Sequence, residues 1–286
     1  MLYQELYQEW GSRPLGGRAV VWSRTAGAGP QRVLPDGCTD LIWSCGDPAA
    51  SGASDGVLFV AGPDTRAHLA QGSPGARWVG LRFAPGTGPD VLGVPAYELR
   101  DQRVPLAALW PDAEVRRLTE RLAEEAARGD TGADGASPYG TVPYGTVPYG
   151  AEPGAESPDG AALGGTGPRG VSRLLEAVAL DRLHRAERPD PAVGAVVAGL
   201  SGGRSVAEVA AAVGLGERQL HRRSLAAFGY GPKTLARVLR LNRALDAARA
   251  GTAFAEVAAV TGYADQAHLA REVRALTGVP LGRLLG

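Results

Sequence analysis

Residues 205–228 read SVAEVAAAVGLGERQLHRRSLAAF. Val206, Val209, Ala210 and Val213 recur at spacings of three and four, which places them on one apolar face of a helix. Ser205 stands where an N-cap belongs, and Glu208, three residues on, supplies the partner for a reciprocal capping box. Gly214-Leu215-Gly216 breaks the helix, and Glu217–Phe228 resumes it with Leu220, Ala227 and Phe228 inward. Ala210, Gly214 and Leu220 fall where two crossed helices need a small contact residue, a tight turn and an apolar lock. The stretch reads as a helix-turn-helix.

The pattern occurs twice. Phe254, Val257 and Ala258 form a second short stripe, Thr261-Gly262-Tyr263-Ala264 a turn, and Asp265 the N-cap of a helix running to Leu276. Ala210 and Ala258 are 48 residues apart, as are Gly214 and Gly262. Between the copies, Pro232 opens an uninterrupted helical run to Arg249, and Gly251 lies just past its end. A helix over 232–249 spans roughly 27 Å, enough to hold two recognition helices about one DNA turn (~34 Å) apart.

With these motifs in view, residues from about 190 to 286 resemble the AraC/XylS-type DNA-binding domain, a seven-helix unit with two helix-turn-helix motifs joined by one long helix. Gly214–Arg222 is similar to that family's first recognition segment, Gly262–Arg271 to the second, and Thr277-Gly278-Val279-Pro280 to its usual close. Ser224 departs from the pattern, where many members carry Phe; the smaller residue leaves the packing there to Leu225 and Phe228. In the front half, Leu34–Trp43, Ala61-Gly62-Pro63 and Gly80–Gly86 resemble the β-rich N-terminal domain of uncharacterised actinobacterial AraC-type regulators. That likeness implies a sensing or dimerisation domain and names no ligand.

With Leu220 as the inward lock, Arg218, His221 and Arg222 project from the opposite face. Arg can grip guanine O6 and N7 through two parallel hydrogen bonds, and the resemblance makes these positions base readers. In the second motif Gln266, Ala267, Ala270 and Arg271 take the equivalent face, with Arg274 one turn further on. Arg223, Arg237, Arg240 and Arg243 suit neutralisation of the phosphate backbone, the alternative being that they are merely solvated. The expected partner is double-stranded operator DNA read in two adjacent major grooves; RNA polymerase and a second copy of the chain are compatible protein partners.

Charge supports the same end of the chain. The net charge is 0, yet Leu200–Gly286 carries 12 Arg and Lys against 6 Asp and Glu. Enzyme chemistry finds little footing. The 4 His include one in the strand-rich half, too few for a His-rich metal barrel. Cys38 and Cys45 would face opposite sides of one continuous strand, so no zinc-held cysteine cluster of the kind in DNA-repair alkyltransferases is available. No nucleophile elbow, phosphate loop or dinucleotide fingerprint occurs. The sequence thus predicts a non-enzymatic regulator without cofactor or metal; a DNA-binding architectural protein lacking an effector is the alternative. With 2 Cys, no basic leader and no apolar run of membrane-spanning length, the expected location is the cytoplasm, on the nucleoid.

The fold class expected is α+β and multidomain. Residues 1–128 form a β-rich sensing or dimerisation domain, 129–170 a disordered linker, and 171–286 an all-α DNA-binding domain. Arg18–Arg24, Cys38–Ser44, Gly56–Ala61 and Ala76–Phe83 read as strands, and Pro111–Arg128 as an amphipathic helix. Pro35-Asp36-Gly37 is turn chemistry. Gly (41) and Pro (21) are abundant for 286 residues, and the segment 129–170 repeats Pro-Tyr-Gly-Thr-Val with almost nothing aliphatic to bury. Asp40 and Arg82 are charges in otherwise apolar strands. They are candidates for an effector pocket, or for a pair across it, but a one-sided antiparallel sheet would turn both to solvent, which is the expectation taken.

Overall fold

The computed structural model describes residues 7–27, 29–46, 56–130, 168–186 and 189–285. The expected linker lies almost wholly outside the described residues.

Eight strands are described: β1 (Tyr7–Gly11), β2 (Ala19–Thr25), β3 (Gln31–Val33), β4 (Thr39–Cys45), β5 (Val57–Ala61), β6 (His68–Ala70), β7 (Arg77–Phe83) and β8 (Arg103–Pro105). Six pair antiparallel in the order β1-β2-β7-β4-β5-β8, and β3 pairs separately with β6. The four strands expected from sequence are β2, β4, β5 and β7, to within a residue at most ends. β1, β3, β6 and β8 were not foreseen; three of them are only three residues long, too short for alternation to register.

The register lays Val21, Leu81, Leu41 and Val60 across one face and Trp22, Gly80, Ile42 and Phe59 across the other. The first face carries the main core. It is covered by α1 (Gly88–Leu92), α2 (Asp112–Asp130) and α3 (Pro168–Arg185), which contribute Leu92, Val115, Leu118, Leu122, Val171, Leu175 and Ala179. On the second face the Trp22 indole lies flat on Gly80. A Cβ at residue 80 would stand 2.2 Å from Trp22 Cε2, so only glycine fits.

Two expectations change here. The sheet is not one-sided: Gly80 and Arg82 are as buried as Val79, Leu81 and Phe83. Helix α3 was assigned with the C-terminal domain, yet it packs antiparallel to α2 in the N-terminal core. Arg182 reaches both Glu114 carboxylate oxygens at 2.8 Å, with its guanidinium 3.9 Å over the Trp110 ring. The segment expected as a linker therefore connects, in sequence, two helices of the N-terminal core rather than the two halves, and helix claims residues 129–130 and 168–170 at its edges.

The C-terminal region contains α4 (Pro191–Ser201), α5 (Val206–Ala212), α6 (Glu217–Phe228), α7 (Pro232–Arg249), α8 (Phe254–Thr261) and α9 (Gln266–Thr277). The caps are those of the sequence. Ser205 Oγ accepts from the Glu208 amide while the Ser205 amide donates to the Glu208 carboxylate, and Asp265 accepts from the His268 amide at 2.6 Å. Helix α7 serves two cores in turn. Leu235, Val238 and Leu239 pack with α4, α5 and α6; Leu241, Ala244, Leu245 and Ala248 pack with α8 and α9. Phe254, expected inward, is 36% exposed; the buried face of α8 is made by Val257, Ala258 and Thr261. At Ser224 the register also differs: Ser224 is buried and Leu225 is only half-buried, so the small side chain itself forms the close contact. No described helix is long and apolar enough to cross a membrane.

Candidate nucleic-acid interface

Helices α6 and α9 each follow a tight turn. Residue Gly214 (φ +67°) ends the first short helix, and Gly262 (φ +83°) ends the second. Leu220 and Leu269 are locked into their separate cores, which fixes the rotation of each helix about its axis. The opposite faces are open. Arg218, His221, Arg222, Arg223, Gln266, Ala267, Ala270, Arg271 and Arg274 are all exposed. Arg218 and Arg222 stand one turn apart on α6; Ala267, Ala270, Arg271 and Arg274 form one row on α9. Small alanines beside Arg271 let that face approach another surface closely.

The nine candidates are not equivalent. Arg223 reaches Asp190, the N-cap of α4, at 3.0 Å, which ties it back to its own domain. The His221 ring lies against Gly231 at the start of α7. Among the described residues Arg218, Arg222, Arg271 and Arg274 have no acidic partner, so their guanidinium groups point outward unpaired.

Three arginines of α7 expected as phosphate neutralisers also make contacts inside the domain. Arg237 pairs with Glu272 through two contacts, at 2.8 and 3.2 Å. That hydrogen-bonding guanidinium holds the Glu272 carboxyl below its ordinary value. Arg240 donates to the Gly262 carbonyl and lies 5.2 Å over the Tyr263 ring; Arg243 donates to the Thr261 carbonyl. These contacts satisfy carbonyls at the end of α8 and lock the second motif onto the long helix. Sequence missed them because their partners lie 18 to 35 residues away.

Residues 202–285 match a family model described as a helix-turn-helix domain. The C-terminal region is an AraC-type helix-turn-helix domain. Within that domain, α6 and α9 are the second helices of its two motifs. Residues 19–105, the core strands of the front half, match a model described as a domain of unknown function (DUF6597). No curated protein matches the sequence. Solved structures similar to the chain include ToxT from Vibrio cholerae O395, at 6% identity and a TM-score of 0.41, over 99% of this chain and 96% of that one. Another is the same protein bound to (E)-4-(8-methylnaphthalen-1-yl)but-3-enoic acid, at 8% identity and 0.41, over 100% and 98%. A third is unsaturated fatty acid-bound wild-type ToxT from strain SCE256, at 8% identity and 0.41, over 99% and 95%.

The candidate effector residues sit together in the N-terminal half. Asp40 and Arg82 are 9% and 4% exposed, so the expectation that they face solvent is overturned. They are directly paired across β4 and β7. Arg82 Nε donates to Asp40 Oδ1 at 3.2 Å, stands 3.3 Å from Asp36 Oδ2, and Nη1 lies 3.6 Å from Glu9 Oε2. Trp22 Nε1 also donates to Asp40 Oδ1, at 2.6 Å. Burial pushes the Asp40 carboxyl up to about 6, with the Arg82 guanidinium pulling down and Asp36 pushing further up.

That shift has a sign. The folded state holds a proton on Asp40 that the unfolded chain has already released above its ordinary value of 3.8, so this group costs stability as pH rises towards 6. Asp40→Asn, which mimics the protonated carboxyl, should be the more stable protein above pH 6, by about 1–3 kcal/mol. Denaturant unfolding of both proteins across that range is the check. Parallel curves would show that Asp40 does not titrate in this window.

Proposed function

We propose that the protein is a non-enzymatic, sequence-specific DNA-binding transcriptional regulator that reads two successive major grooves with α6 and α9, under control of its N-terminal domain. The observation that carries this reading is the pair of unpartnered arginine faces on two recognition helices held by one rigid 18-residue helix. Arg222 and Arg271 suit guanine, Gln266 suits adenine, and Ala267 and Ala270 permit close approach. The net positive charge of this region supplies the non-specific attraction that precedes base reading. The N-terminal domain would receive the regulatory signal; the buried Asp40–Arg82 pair is its candidate receptor element. Operator DNA is the partner, in the cytoplasm.

Selection of bound DNA from a random pool with the full chain tests the reading. Affinity should fall steeply with salt, and Arg222→Ala and Arg271→Ala should each cost about 1–3 kcal/mol at one base position. The two positions should lie about 10 bp apart. Preference lost at the same base pairs in both variants would overturn the two-groove geometry, and salt-independent binding would overturn the reading itself.

A further inference from the structure

The segment Arg32–Asp40 touches the DNA-binding domain and the buried ion cluster alternately. Arg32 Nη1 donates to the Thr277 carbonyl at the end of α9, at 2.8 Å. Leu34 is buried in the core of the second helix-turn-helix. The Asp36 carbonyl accepts from Asn242 Nδ2 of α7 at 3.3 Å, while its carboxylate faces Arg82. A Cβ at Gly37 would lie 3.6 Å from both Tyr230 Oη and Leu235 Cδ1, so this turn is seated against the start of α7. Two residues on, β4 begins and Asp40 returns to Arg82.

Resting on the regulatory reading above, we propose that Arg32–Asp40 is a coupling strap through which the charge state of the buried cluster sets how tightly the DNA-binding domain is held. The switch is one hydrogen. Arg82 Nε carries a single N–H, and it lies 3.2 Å from Asp40 and 3.3 Å from Asp36. Presently it donates to Asp40, which is anchored in the sheet. Neutralising Asp40, by a proton or a bound cationic group, leaves it the weaker acceptor, so this N–H shifts towards the charged Asp36 carboxylate, which is part of the strap. It also removes the repulsion between the two carboxylates. Asp36 is then drawn towards the sheet, and its carbonyl carries Asn242 and α7 with it.

The strap is short enough to transmit this. Pro35 has a fixed φ, Gly37 is held at φ +86°, and Asp36 Oδ1 accepts from the Cys38 amide, which stiffens the turn. Charged and titratable groups facing Asp40 are Glu9 on β1, Asp36 and Cys38 on the strap, Arg82 on β7 and Arg103 on β8. Tyr230 Oη is fully buried at the strap without a hydrogen-bond partner, so a shift of the strap that brings it an acceptor carries a gain.

Amide hydrogen exchange on the full chain, free of DNA, decides the matter with two variants that act in opposite senses. Asp40→Asn should slow exchange in the first half of α7 and the last turn of α9. Asp36→Asn, which keeps the turn acceptor but loses the ion pair, should speed exchange at the same amides, in each case by at least about fivefold. Adding Asn242→Ala to Asp40→Asn should abolish the slowing in α7. Changes of the same sign in both variants, or changes confined to the strands, would overturn the strap. If Asp40→Asn fails to fold, the wild type compared at about pH 5 and pH 7.5, corrected for intrinsic exchange, must reproduce its pattern. Operator affinity of the two variants should also shift in opposite directions. A wild type that binds no DNA would overturn the regulatory reading, while the exchange result would still decide the coupling.

Discussion

Arg82→Met is expected to remove about 3–5 kcal/mol of stability at neutral pH, because it leaves buried carboxylates without their cation. Glu9, Asp36 and Asp40 all lie within 3.6 Å of the Arg82 guanidinium. Met conserves much of the apolar stem, so the loss is electrostatic rather than a cavity effect. The pH dependence is diagnostic. Without Arg82 the buried Asp40 carboxyl loses the charge that pulls it down and holds its proton to higher pH in the folded state, so the variant should regain part of its deficit near pH 5. Urea titrations at about pH 5 and pH 7.5 measure this. An equal loss at both values would mean that Arg82 acts by packing alone.

Leu175→Ala should cost about 2–5 kcal/mol, with the damage in the sheet and not in the recognition helices. Leu175 is fully buried in the N-terminal core although it lies past the repeat segment. Hydrogen exchange should accelerate in β2, β4 and β7, while α5 and α8 keep their protection. Loss centred on α4 to α6 instead would place α3 with the DNA-binding region after all.

What was legible in the sequence was local. The Ser205–Glu208 box, the Asp265 cap, the glycine turns and the extent of α7 are each set by residues within a turn or two of one another, and periodicity found them. The exposed faces of α6 and α9 followed from knowing that Leu220 and Leu269 point inward. Long-range facts did not follow. Nothing in Val171–Arg185 says which apolar face it seeks, because an amphipathic helix fits any complementary core. The burial of Asp40 and Arg82 depends on a second apolar layer built by Trp22, Ile42 and Phe59, and on β1, whose Glu9 completes the cluster. Arg237, Arg240 and Arg243 read as free cations until Glu272 and the carbonyls of Thr261 and Gly262 are placed beside them.

The position of α3 has a consequence for how the protein is made. The sheet is complete in sequence at Pro105, but the helix that covers its apolar face ends only at Arg185. At roughly 5–20 residues per second, synthesis of the intervening stretch takes several seconds. During that interval Leu41, Val60 and Leu81 lack one of their covering layers on the ribosome, exposed to neighbouring nascent chains. The acidic, aliphatic-poor repeat segment emerges in the same interval and offers little for that surface to misbind. Chaperone demand in the cell should therefore track the time between strand and helix, and shortening the repeats should improve yield even where the folded protein's stability is unchanged.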